Sequence, residues 1–159
     1  MKLYLVRHAH ALSDAEDPAR PLSAKGRETA QAVARGLRRR TALEVAEVWH
    51  SPLVRARETA ELLAAGLQLR AHLREVPGLL PEDSPAAMAA ALGCCKESLM
   101  LVGHEPHLSA LAAELLGLEP GRGLVEFRKG TVLCLDRVMR GAPWTLVWLL
   151  PPTFVAESA

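Results

Sequence analysis

Aromatic residues are scarce in this chain, 4% of 159 residues, and there are only three cysteines. Adjacent Cys94-Cys95 and a distant Cys134 make no disulfide framework, and the paired spacing of a zinc site is missing, which fits a reducing cytoplasm. A net charge of +1 gives no basic excess and argues against electrostatic capture of nucleic acid. No uninterrupted apolar stretch is long enough to cross a bilayer, and Met1–Val6 is too short for the apolar region of a signal peptide, so a soluble protein without membrane contact is expected. Internal repeats and low-complexity blocks are absent.

Half of the residues are apolar, enough for one substantial core without disulfides or metal. The expectation is a single α/β domain over residues 1–150, with 151–159 a poorly anchored tail. Strand-like runs at Leu3–Val6, Val45–Trp49 and Leu99–Val102 alternate with helical patterns near Ala24–Arg39, Leu53–Ala65 and His107–Leu116. Such alternation predicts a three-layer α/β/α architecture around a mostly parallel sheet. Ser84-Pro85 marks the start of a short helix that stops at Gly93. Two late runs, Thr131–Asp136 and Trp144–Leu149, turn at Arg140-Gly141-Ala142 and allow an antiparallel edge. Arg38-Arg39-Arg40 closes a helix, where cations complement the macrodipole.

Polar residues stand at three strand ends. Arg7-His8 follows Leu3–Val6, His50-Ser51 precedes Arg55, and Gly103-His104 follows Leu99–Val102. Open α/β sheets bind ligands outside the carboxyl ends of their strands. A permanently charged guanidinium matches phosphate oxygens, and a neutral imidazole beside it can be a nucleophile or carry a proton. Pro52 suits a first helical turn, which makes Ser51 the expected N-cap and puts Arg55 near the positive end of the helix. Arg57 is expected on a solvated face.

Arg-His after the first strand, Ser-Pro-Leu-x-Arg-Ala-x-x-Thr-Ala from Ser51 to Ala60, and Gly-His at 103–104 resemble the motifs of the histidine phosphatase superfamily, the phosphoglycerate mutase-like enzymes. The stretch Arg20–Ala30 resembles the lead into that family's first helix. Small size and the ending Trp148–Pro152 are most similar to SixA-type phosphohistidine phosphatases. There are departures. Ala9 stands where the family usually has glycine, placing a methyl group where backbone is expected to approach phosphate. Pro77-Gly78-Leu79-Leu80-Pro81 lacks a carboxylate that the SixA-like pattern carries.

The resemblance implies a phosphatase in which His8 attacks phosphorus, forms a phosphohistidine and is regenerated by water. It also implies that Arg7, Arg55 and His104 hold the equatorial oxygens, with His104 protonated as a donor, and that no cofactor or metal takes part. Positioned charges are what such a transfer needs. Glu82 and Asp83, with Glu75 behind them, are the candidates for protonating the leaving group. The labile P–N bond depends on such an acid less than a phosphoester does, which favours phosphohistidine on a partner such as a histidine-containing phosphotransfer domain. Little sequence separates Leu67 from Leu99 to build a lid, which favours the same partner.

Three other readings follow from the same residues. A phosphomonoesterase acting on small phosphorylated metabolites would share the nucleophile but need a surer acid. A phosphate-recognition module would bind without turnover. A zinc hydrolase could use His8-x-His10 and His104-x-x-His107, although Arg7 is a poor neighbour for a divalent cation. His10 and His107 are otherwise expected on the rim and His72 on a half-exposed strand.

Overall fold

Along the first strand, Leu3 and Leu5 face one core while Tyr4 and Val6 face another, the period-2 pattern of a strand buried on both sides. The computed structural model describes residues 1–119 and 121–156. Its strands are β1 (Lys2–Arg7), β2 (Glu47–His50), β3 (His72–Glu75), β4 (Leu99–Gly103), β5 (Val132–Asp136) and β6 (Thr145–Leu150). Its helices are α1 (Ala24–Arg40), α2 (Val54–Leu67), α3 (Pro85–Gly93), α4 (His107–Leu116) and α5 (Thr153–Ala156).

The sheet order is β3-β2-β4-β1-β5-β6. Strands β3, β2, β4 and β1 run parallel, and β5 pairs antiparallel with both β1 and β6. Val33 and Leu37 of α1, Ala60 and Leu63 of α2, and Val155 of α5 pack on the face carrying Tyr4, Met100 and Cys134. Met88 and Leu92 of α3 and Leu108 and Leu111 of α4 cover the face carrying Leu5, Leu101 and Leu133. The architecture is therefore the three-layer α/β/α arrangement with an antiparallel edge.

Local chemistry explains most boundaries. Ser23 caps α1 by accepting the Gly26 N–H, and Ser84 caps α3 by accepting the Ala87 N–H. Gly117, at φ 66°, ends α4 in the left-handed region that glycine tolerates. A Cβ on Gly26 would lie 1.9 Å from the His10 carbonyl oxygen, so the absent side chain lets α1 press its first turn against the loop that follows β1. That contact fixes the loop bearing His8.

Two expectations need correction. Helix α2 begins at Val54 with Leu53 at its N-cap, and Ser51 sits just ahead of the cap, its hydroxyl accepting the Leu53 N–H. The strand expected at His72 is β3, outside the apolar runs because every residue of it is exposed at the sheet edge, where the Arg74–Glu47 ion pair guards it. The chain from Pro151 does not trail free: α5 places Val155, only 3% exposed, in the core. The rest of the expected tail, 157–159, lies outside the described residues.

Candidate active site

The strands that end in the expected motifs, β2, β4 and β1, are immediate neighbours in the sheet. Backbone hydrogen bonds continue just past their ends: His8 N–H donates to the Gly103 carbonyl at 3.0 Å and Ser51 N–H to the Val102 carbonyl at 3.1 Å. The sheet thus carries Arg7, His8, Ser51 and His104 to one edge.

Nδ1 of His8 lies 2.7 Å from the Ala9 carbonyl oxygen. A carbonyl can only accept, so Nδ1 holds the hydrogen and Nε2 keeps its lone pair. Burial is the main reason that the His8 pKa is lowered to about 4; Arg55, Arg7 and Lys129 add to it, and the Ala9 contact only partly opposes them. The ring of His104 sits 4.9 Å from that of His8, centroid to centroid, at 54°. Its Nε2 is 2.6 Å from the Ser51 hydroxyl, which also accepts the Leu53 N–H. Burial, then His8 and Arg55, lower the His104 pKa to about 3. The protonated His104 expected from sequence therefore requires an anion beside it to offset the surrounding positive charge.

Arg7 donates through Nη1 to the Phe127 carbonyl at 2.6 Å, while its Nε is buried with no partner among the described residues. Arg55, second residue of α2, has the same unmatched Nε; burial, then Arg20, lower its pKa. Buried donors without acceptors are costly and rare. Of the three guanidinium groups with an unmatched buried Nε among the described residues, Arg7, Arg55 and Arg137, the first two stand at these strand ends, and their fork suits phosphate oxygens. Lys129, in the turn before β5, belongs to the same field: burial and then Arg7, Arg20 and Arg55 depress its pKa. Sequence reasoning missed Lys129, since its only mark is a lysine before Gly130-Thr131, far along the chain from the motifs.

Thr59 explains the threonine of the motif. Its hydroxyl accepts the Ala9 N–H at 3.1 Å and donates to the Arg55 carbonyl at 2.7 Å, tying the loop after His8 to the first turn of α2. Ala9 itself is fully buried against Leu22 and Ala30. Its methyl group is part of a small apolar cluster.

Glu82 is exposed, and Asp83 accepts the Leu80 N–H at 2.7 Å within a turn. Neither is hydrogen-bonded to Arg7, His8, Arg55 or His104 among the described residues. Glu75 is exposed at the end of β3, and His72 is exposed rather than half-buried. His10 lies on the rim with Nδ1 2.8 Å from the Ser23 hydroxyl, whereas His107 is buried, 2% exposed, and not a rim residue. No three His, Cys, Asp or Glu side chains are grouped to hold a metal among the described residues. No helix among them is long and apolar enough to cross a membrane.

Residues 3–79 match the model of the histidine phosphatase superfamily, branch 1. That span includes Arg7, His8 and Arg55 but stops before His104. An uncharacterized protein of Picosynechococcus sp. is 33% identical over 174 positions, which cover 95% of this chain and 100% of the relative. The structure of the protein histidine phosphatase SixA complexed with tungstate is similar with a TM-score of 0.85 and 26% identity, covering 98% of this chain and 99% of the other. The α-ribazole phosphatase of Shigella flexneri shares the fold with a TM-score of 0.72 at 20% identity, over 96% of this chain and 97% of the other. With its SixA-like α/β/α fold, the chain belongs to the histidine phosphatase superfamily.

Proposed function

We propose that this phosphatase acts on protein phosphohistidine, with His8 as nucleophile and no metal. The observation that carries the reading is the 2.7 Å contact between His8 Nδ1 and the Ala9 carbonyl, which leaves Nε2 unprotonated beside Arg7 and Arg55. Nε2 attacks phosphorus in line, the P–N bond of the substrate breaks, and the departing imidazole keeps its electron pair and takes a proton. Water then attacks the phosphoryl group on His8, loses a proton to solvent, and releases phosphate with Nε2 restored. Arg7, Arg55 and His104 bind the equatorial oxygens; the positive charge that a metal would supply comes from the two guanidinium groups and Lys129.

The substrate class is supported by what lies around the nucleophile. Glu82 and Asp83 remain the candidate acids, yet neither is engaged with the site, and Asp83 is spent on a turn. A phosphoester would release a poor alkoxide there, whereas an imidazole leaves readily. We place the protein in the cytoplasm, where Cys94, Cys95 and Cys134 stay reduced. The natural partner is a histidine-containing phosphotransfer domain. Phosphate release from such a domain, in EDTA, should exceed release from a small phosphomonoester and vanish in His8→Ala. Loss of activity on chelation, or preference for the phosphomonoester, would overturn the reading.

A further inference from the structure

A cleft of about 340 Å³ adjoins the site, lined by His10, Lys25, Thr29, Lys129, Pro152 and Thr153. Four parts of the chain build it: the loop after β1, the first turns of α1, the turn before β5, and the start of α5. The turn is held in place. Gly130, at φ 87°, donates to the Arg7 carbonyl at 3.1 Å, and Thr131 N–H donates to the Arg128 carbonyl at 2.9 Å. A Cβ on Gly130 would come within 3.1 Å of Thr29 Cγ2 and 3.6 Å of Pro152 Cγ, so the turn is pressed between α1 and the chain leading into α5. Lys129 is thereby fixed at the boundary between the cleft and the catalytic cations.

The charge in the cleft is one-sided. Neither Lys25 nor Lys129 forms an ion pair among the described residues, and every charged neighbour acting on Lys129 is a cation: Arg7, Arg20, Arg55 and Lys25. Pro152 and the methyl groups of Thr29 and Thr153 supply apolar wall. A phosphoryl group held by Arg7, Arg55 and His104, as proposed above, would leave this outer cleft unfilled. Its complement is a carboxylate carried beside apolar side chains, which a folded protein surface presents and a simple phosphate does not.

We propose that this cleft is the docking site for an acidic surface of the phosphorylated partner protein, gripped by Lys25 and Lys129 while the phosphohistidine reaches His8. The inference rests on the phosphohistidine reading and adds to it the surface that selects the partner. Such docking speeds association and weakens with salt.

The test uses the full chain carrying Lys25→Glu and Thr153→Glu together, which reverse or add charge on opposite walls without touching the catalytic cations. Both positions are exposed, and a carboxylate at Thr153 suits the first residue of α5. At low ionic strength, kcat/KM for a phosphohistidine-bearing phosphotransfer domain is expected to fall about tenfold or more, and its salt dependence to flatten. Hydrolysis of phosphoramidate should stay within about twofold, and Lys25→Arg should behave like the parent. Undiminished activity of the double variant on the phosphoprotein overturns the docking site alone, as does an equal loss on both substrates. A parent protein that hydrolyses phosphoramidate but not the phosphoprotein overturns the phosphohistidine reading, and the docking site with it.

Discussion

Nδ1 of His8 and the carbonyl oxygen of its neighbour Ala9 are 2.7 Å apart, so the backbone itself decides which imidazole nitrogen keeps its lone pair. With Nδ1 committed as a donor, Nε2 is expected as the unprotonated nitrogen in nitrogen-detected NMR across the neutral range. With His8 as the nucleophile, His8→Ala should lower phosphate release by roughly a thousandfold or more. Stopped reactions should show acid-labile phosphate on the parent and none on the variant. A parent that turns over without such an intermediate would remove His8 from the role of nucleophile.

Acid should weaken the fold through the same two histidines. Both would titrate near 6.5 when unfolded, but in the folded protein His8 titrates at about 4 and His104 at about 3. Below pH 6.5 the unfolded chain therefore binds protons that the folded chain refuses. Stability contributed by the neutral rings is present above pH 6.5, is lost as pH falls through about 4 toward about 3, and levels off once both rings are charged. Urea midpoints measured from pH 7 downward should drop across that window. Replacing both rings, as in His8→Gln with His104→Gln, should flatten the drop. Saturating inorganic phosphate should raise both titrations, since an anion favours the imidazolium.

Thr59 is the strut between the loop of His8 and the turn bearing Arg55, and it is 1% exposed. Thr59→Val keeps the shape but leaves the Ala9 N–H buried without an acceptor, which costs about 1–3 kcal/mol. Because the same hydroxyl bonds the Arg55 carbonyl, the loop of His8 and the first turn of α2 lose their tie. Activity is expected to fall about tenfold or more through misplacement, with kcat affected beyond KM. Unchanged kcat alongside the stability loss would mean that the tie serves folding only.

What the sequence revealed was the chemistry borne by short motifs at strand ends. Leu3–Val6 and Leu99–Val102 are apolar enough to announce buried strands, and Arg7-His8 and Gly103-His104 sit where such strands stop. The insertion of β4 between β2 and β1 was not legible, because local pattern carries no pairing information. Thr59 was visible as a motif letter, but its role exists only once α2 lies against the loop of Ala9. Ser51 combines local and tertiary bonding: its position before Pro52 suggests a cap, and in the fold its hydroxyl accepts the Leu53 N–H just ahead of α2 while also reaching Nε2 of His104. Lys129 comes to the site through the turn into β5, a contact across more than 120 residues that no spacing rule reaches.

Glu82 and Asp83 can be separated by mutation because the structure gives them different work. Asp83 holds the Leu80 N–H, so Asp83→Ala should cost about 0.5–1.5 kcal/mol in stability. Glu82 is exposed and makes no hydrogen bond or ion pair among the described residues, so Glu82→Gln should leave stability within about 0.5 kcal/mol of the parent. If Glu82 protonates leaving groups, the glutamine variant should slow a phosphomonoester such as p-nitrophenyl phosphate less than an alkyl phosphate, because nitrophenolate leaves without help. Phosphohistidine should be affected least, since its imidazole leaves readily and can arrive already protonated. An equal slowing of all three substrates would instead assign Glu82 to binding, and no slowing of any would remove Glu82 from the candidates and leave Asp83, Glu75 or solvent as the proton source.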